Sequence, residues 1–250
     1  GIDSIRLKDL GMGGTAGAVD ALVGARTNLG AISAGNIMIN DQALDAIAAT
    51  DDLEDVITNI NNSVDNVTAS GFNVVVAKNI GTGVTTDGQF DISVKALGAS
   101  AVTTYSISAS SSFEELVANI NAEAGAAVQA SVSDEGKLVL SNNTGATITV
   151  IDSSAAAGTY DGGSGFSATS ADFKGFLKLE SDDGNPVRID KGTEGSIADL
   201  AKLGLRPTTS DVGKANDAYT VTGDVLTSAG VTTAWGATDI KINGTAIYNS

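Results

Sequence analysis

The chain has 250 residues, 42% hydrophobic but only 4% aromatic, and its 30 acidic residues against 14 basic ones give a net charge of −16. Histidine and cysteine are both absent, which removes the usual general base, the thiol nucleophile, thiolate or imidazole metal sites and any disulfide framework. An acidic surface with singly scattered Lys and Arg argues against nucleic acid and membrane as partners, and no apolar run approaches the roughly 18 residues needed to span a bilayer.

Such a length can bury a sizeable core, but one built from Ala, Val, Ile and Leu, which favours thin layers over a deep pocket. Gly1 opens neither a basic nor an apolar leader segment, and the chain stops after Asn249 and Ser250 inside what reads as a strand and turn. It therefore reads as a piece cut from a longer protein.

Taken in chain order, Ala16 to Leu29 carries weak helical spacing, and Asn36 to Asn40 alternates as a strand. Asp52 to Ser63 places Leu53, Val56, Ile57 and Ile60 on one helical face. Strands follow at Phe72 to Lys78, Phe90 to Leu97 and Val102 to Ser108. A second helix, Ser112 to Ala122, aligns Phe113, Leu116, Val117 and Ile120. Further strands are expected at Ala126 to Ser133, Lys137 to Ser141, Ala146 to Ile151, Phe176 to Glu180, Val187 to Asp190, Ala218 to Val221 and Thr238 to Ile242, with a short helix at Ile197 to Leu203. Asp134-Glu135-Gly136 and Ser181-Asp182-Asp183-Gly184 lie between strands and tolerate positive φ, so each is expected to close a hairpin.

The two longer helices are one element written twice. Each opens with a capping residue followed three positions on by an acid, Asp52 with Asp55 and Ser112 with Glu115. Each ends in Asn-Ile-Asn, at Asn59 to Asn61 and Asn119 to Asn121, and each is followed by Val-x-Ala-Ser, at Val67 to Ser70 and Val128 to Ser131. Self-similarity of this kind marks two copies of a helix laid across a small antiparallel sheet. Asn36-Ile37-Met38-Ile39-Asn40-Asp41 precedes the first copy, and Asp239-Ile240-Lys241-Ile242-Asn243-Gly244 opens a truncated third.

This order of strand, Ile-Asn, turn, helix, Ile-Asn, Val-x-Ala-Ser and strand resembles the "IN" motif of the flagellin family, found in the outer domains of flagellins and in hook-associated proteins. Ile2 to Met12 resembles the family segment that leaves the coiled-coil core and often ends Leu-Gly-Leu; Met12 replaces the last Leu, whereas Ala201-Lys202-Leu203-Gly204-Leu205 carries that ending unaltered. The family's long terminal heptad helices have no counterpart here.

The resemblance implies an α+β, β-rich fold of small antiparallel sheets, each with one packed helix, the second unit inserted in the first. It implies a connector at 1–35, a first outer domain from 36–84 plus 160–205, an inserted second outer domain at 85–159, and a connector with a truncated third unit at 206–250. It further implies a structural, extracellular subunit of the bacterial flagellum that supports motility, with other flagellin subunits as partners in a homopolymeric filament. Surface Ser and Thr could then carry O-linked glycans. A filament-cap or hook-associated protein is the nearest alternative, and a bacterial surface adhesin or carbohydrate-binding module a more distant one.

Candidate chemistry has plainer explanations. Asp51, Asp52, Glu54 and Asp55 could be read as a metal or acid/base site, but they stand where a helix N-terminus wants acids, as do Glu114 and Glu115. Asp182-Asp183-Gly184 and Tyr160 to Gly165 look like calcium-loop fragments, yet neither fills the alternating ligand positions, and turns explain both. Gly11 to Gly14 lacks a P-loop lysine. Trp235, Tyr105, Tyr160, Tyr219 and Tyr248 are too few to form sugar platforms around opposed carboxylates. Catalytic, cofactor-binding and metal-binding residues are each expected to be none, no cofactor is expected, and an enzyme is not.

Overall fold

The computed structural model describes residues 21–156, 158–208, 241–242 and 245–246. The fold is α+β and β-dominated. In chain order the elements are β1 (Ala21–Arg26), β2 (Ile37–Ile39), β3 (Gln42–Ala43), α1 (Leu53–Ser63), β4 (Val67–Ile80), β5 (Phe90–Val94), β6 (Thr103–Ile107) and α2 (Phe113–Glu123). They continue with β7 (Gln129–Val132), β8 (Lys137–Asn142), β9 (Ile148–Asp152), β10 (Ala171–Phe173), β11 (Phe176–Ser181), β12 (Ile189–Lys191), α3 (Ile197–Lys202), β13 (Lys241–Ile242) and β14 (Thr245–Ala246). The last two form an antiparallel hairpin within a separate compact unit, Tyr219–Ser250.

Within the larger unit, a five-stranded antiparallel sheet runs β1-β11-β4-β8-β7, a four-stranded one β10-β9-β5-β6, and a three-stranded one β12-β2-β3. The long strand β4 dominates the first. Its opening half pairs with β11, Val67 opposite Ser181 and Phe72 opposite Phe176, and its second half pairs with β8, Asn73 opposite Asn142 and Val76 opposite Val139. The two helical units thus share a sheet, because β4 is long enough to carry α1 over its start while α2 packs on β7 at the far edge.

Two hydrophobic cores result. The first gathers Ile37, Ile39, Leu44, Leu53, Val56, Ile60, Val67 and Ala69 with Leu177, Leu179, Ile189, Leu200, Leu203 and Leu205. The second, whose residues lie in sequence between Ala69 and Leu177, gathers Val75, Ala77, Val84, Phe90, Ile92, Leu116, Ile120, Leu138, Leu140, Ile148 and Phe166. It draws on residues either side of 85–159, since the second half of β4 and the loop before β10 turn their apolar side chains inward here.

Asn-Ile-Asn makes the same contacts in both copies. Ile60 and Ile120 are fully buried. Asn59 donates to the carbonyls of Asp45 and Ala46, and Asn119 to those of Ser108 and Ala109, tying each helix to the segment before it. Asn61 brackets Ala69, accepting from its N–H at 2.7 Å and donating to its carbonyl at 3.1 Å, and Asn121 brackets Ala130 at 2.8 and 2.9 Å. Only a carboxamide offers a donor and an acceptor side by side to match a peptide edge. The alanine of Val-x-Ala-Ser is the residue being held.

The helix ends follow local chemistry. Asp52 caps α1 by accepting from the N–H groups of Glu54 and Asp55, and Asp55 returns the bond to Asp52 N. Ser112 caps α2, but Glu115 reaches one residue further back, to Ser111. Leu-Gly-Leu is the stop of α3: Gly204 takes φ +71°, Leu205 N donates to Leu200 O, Gly204 N donates to Ala201 O, and both leucines are buried.

Two expectations are corrected. The helix expected over Ala16 to Leu29 is a strand where described, at Ala21–Arg26, because β11 offers an open edge and Gly24, poor in helices, packs against the Gly204 carbonyl. Ser181 to Gly184 turns at Gly184 but closes no hairpin, for β11 pairs with β1 and β4 while β12 crosses to β2. Asp134 to Gly136 does join the hairpin of β7 and β8. Four strands, β1, β3, β10 and β14, have no counterpart among the expected strands. The two-residue β2–β3 turn uses Asn40 and Asp41, both at positive φ. Ile2 to Met12, Gly11 to Gly14, Ala218 to Val221, Tyr219, Trp235, Tyr248 and the first residues of Thr238 to Ile242 lie outside the described residues.

Replacing Asn61 or Asn121 by alanine should each cost about 1 kcal/mol by leaving a backbone pair without its partner. Asn62→Ala, one position along and exposed, should stay within about 0.5 kcal/mol of wild type. Urea unfolding followed by circular dichroism separates the two outcomes.

Candidate functional site

Most of the carboxylates singled out in sequence accept from nearby backbone amides and side-chain donors. Asp51 accepts from Ala48 N at 2.8 Å, and Asp52 and Asp55 close the capping box of α1. Asp183 accepts from Ser181 and Asn185, Asp182 from Thr68, and Asp161 from Ala156 N and Thr159. Among the described residues, no three acidic side chains converge as a metal ion would require, and no helix is long and apolar enough to cross a membrane. The structure does not bring the Asp51 to Asp55 group together with Glu114 and Glu115 or with the Tyr160 to Gly165 loop into one constellation.

The polar chemistry concentrates instead where the two cores meet. Lys95, at the end of β5, places its ammonium 2.5 Å from Asp52 Oδ2 and 3.6 Å from Glu54 Oε2, while Gly98 N donates to Glu54 Oε1 at 3.0 Å. The N-terminus of α1 therefore holds the β5–β6 connection of the other core. Burial works against ionising Asp52, but the Lys95 ammonium and the amides of Asp55 and Glu54 outweigh it and hold the carboxyl below its ordinary value. Bonding to Asp52 raises Lys95 above its own, with burial opposing.

A second tie runs through β4. Asn73, fully buried, donates to the carbonyls of Ala146 (2.9 Å) and Phe173 (2.7 Å) and accepts from Arg26 at 2.7 Å. Arg26 also donates to the carbonyls of Lys174 and Val74, and its guanidinium lies 4.5 Å from the centre of the Phe176 ring, which stacks on Phe72. The backbone is close-packed around these groups. A Cβ on Gly71 would stand 2.7 Å from Thr144 O, and one on Gly175 would stand 2.0 Å from Gly145 O.

Between the ties lies a cleft of about 230 Å³, lined by Asp51, Asp52, Glu54, Lys95, Lys174 and Val102 among others. It is smaller than the roughly 300 to 1,000 Å³ of a small-molecule site and holds no aromatic side chain. Its acids and Lys95 are already engaged with each other and with backbone amides. The arrangement joins two packing units; it presents no nucleophile beside a base.

Sequence reasoning placed the caps but missed Lys95, Arg26 and Asn73. Lys95 and Arg26 gave no signal, since their partners lie 43 to 148 residues away. Asn73 did give one, as a polar residue on the inward parity of Val67, Ala69, Gly71 and Val75.

No known family matches the chain, and no curated protein does. A solved structure of the flagellar cap protein FliD from Helicobacter pylori is similar at 14% identity and a TM-score of 0.28, over 78% of this chain and 84% of that one. So distant a likeness carries no functional argument.

The tie between Asp52 and Lys95 has a calculable pH signature. Asp52, lowered on folding, adds stability above about pH 4 that is lost as pH falls through its folded value; Lys95, raised, adds stability below about pH 10 that is lost as pH rises through its folded value. Lys95→Met should return the Asp52 titration seen by NMR toward an ordinary aspartate. The cost at neutral pH should stay under about 1 kcal/mol because the pair is partly exposed, and it should shrink on acidification. Asn73→Ala leaves the Phe173 carbonyl without this donor, while Ala146 O keeps its bond from Asn142 and Arg26 keeps the Lys174 and Val74 carbonyls; it should cost about 1 to 3 kcal/mol in urea unfolding.

Proposed function

We propose that this chain is the surface-exposed outer portion of a bacterial flagellin, a structural subunit of the flagellar filament, and that it is not an enzyme. The observation that carries the reading is the duplicated helix, Asn-Ile-Asn and strand unit, whose asparagines make matching bonds in both copies. Repetition of this kind along the flagellin-like order of motifs is what a modular outer region requires. The engagement of the carboxylate clusters in helix caps, turns and the inter-core tie supports a mechanical role over a chemical one.

In this reading the first core is one outer domain and the second an inserted one, and both project from a filament of like subunits outside the cell. An acidic surface discourages lateral bundling beyond the intended contacts. The absence of cysteine suits a subunit exported unfolded, since no disulfide has to form afterwards.

Residues 73 and 173 are neighbours in space, so replacing 75–172 by a short Gly-Ser bridge should leave the first core with a cooperative thermal transition; a flat melt would refute the insertion. Immunogold microscopy with antibodies against the purified chain tests the function. Gold along the whole filament is expected. Gold confined to the tip or hook junction would instead make this a cap or hook-associated protein, and gold on the cell body alone would sink the flagellar reading.

A further inference from the structure

Both helices cover the same side of the five-stranded sheet, where Val75, Ala77, Leu138 and Leu140 point into the second core. The other side is built from alternate residues of β4; among the described residues Arg26 reaches over Phe176 and Tyr160 reaches Lys78, while the apolar side chains of β4 between and beyond them stay exposed. Val74, Val76 and Ile80 are 41, 51 and 62% exposed, next to the stacked pair Phe72 and Phe176. Isolated exposed apolar residues are ordinary, but Phe72, Val74 and Val76 in a row on one face of β4, with Ile80 beyond Lys78, form a docking surface in search of a partner.

The charges along this strip run against the rest of the chain. Arg26 and Lys137 flank it and Lys78 lies within it; Lys137 pairs with Glu135 at 2.5 Å, Lys78 lies 4.3 Å from the Tyr160 ring centre, and Arg26 lies over Phe176. Three cations with one carboxylate stand on a chain of 30 acids and 14 bases. A strip that is locally positive and apolar on a chain of charge −16 is complementary to the remainder of an identical chain. α2, on the opposite side of the sheet, exposes such a counter-surface, with Glu114 and Glu115 in its first turn and no basic residue in its last.

We propose that the face along Phe72, Val74, Val76 and Ile80 docks an acidic surface of a second copy of this chain. Contact between unlike faces leaves each copy with one of each to offer, so the association propagates instead of closing as a pair. The inference stands on the face and its charge, and does not depend on the flagellar reading.

The test is sedimentation velocity and NMR of the full chain, from micromolar up to about 1 mM, a range that reaches weak association. Salt near 0.1 M screens repulsion beyond about 10 Å while leaving short-range pairs in force. The expected result is a mass rising above 24.9 kDa with concentration, shifts at Val74 and Val76 that follow it, and about a tenfold weaker association for Val76→Asp or Lys78→Glu. Both variants lie on the exposed face, and their unchanged circular dichroism establishes that they fold. A monomer at every concentration would overturn the proposal. So would association that ignores both substitutions, or signals from this face that are independent of concentration, which would place the chain's own residues upon it.

Discussion

Strand β4 has to satisfy two cores with one backbone. Over 14 residues it presents Val67 and Ala69 to the first core and Val75 and Ala77 to the second, and both cores meet at the place where it passes between them. A strand crossing from one core to another carries its inward parity through a region where neither core can accept an apolar side chain from both sides. Gly71 and Asn73 occupy that region. The glycine lets the Thr144 carbonyl approach, and the asparagine joins the Ala146 and Phe173 carbonyls and the Arg26 guanidinium at the crossing.

The asparagines of the repeat solve a smaller version of the same problem. A helix laid across a sheet must be held at a fixed distance along the strand beneath it, and apolar packing alone is tolerant of sliding. A carboxamide that both donates to and accepts from one residue of the next strand, as Asn61 does with Ala69 and Asn121 with Ala130, fixes that register directionally. The isoleucine between the two asparagines then points into the core by helix geometry alone. This accounts physically for why the three residues recur together while their neighbours drift.

The same economy shapes the surface. Carboxylates at the helix starts do double duty, satisfying orphan amides and, at Asp52 and Glu54, grasping the β5–β6 connection of the neighbouring core. α2 has no such counterpart, since Ser112 caps it and Glu115 turns back to Ser111. The two copies are therefore alike in how they fold and unlike in what they hold.

Local order is legible in the residues alone. Both capped helices, Asn-Ile-Asn as a repeated unit, the strands at Phe90, Lys137 and Phe176 and the turn at Gly136 all follow from spacing, capping and glycine chemistry within a dozen residues. Tertiary structure decided the rest. Ala21 to Arg26 is a strand because β11 needed a neighbour, β12 left β11 for β2, and Lys95, Arg26 and Asn73 became joints only when folding brought partners from 43 to 148 residues away. Periodicity reports which face of an element is buried, but against what it is buried is fixed by the packing of the whole chain.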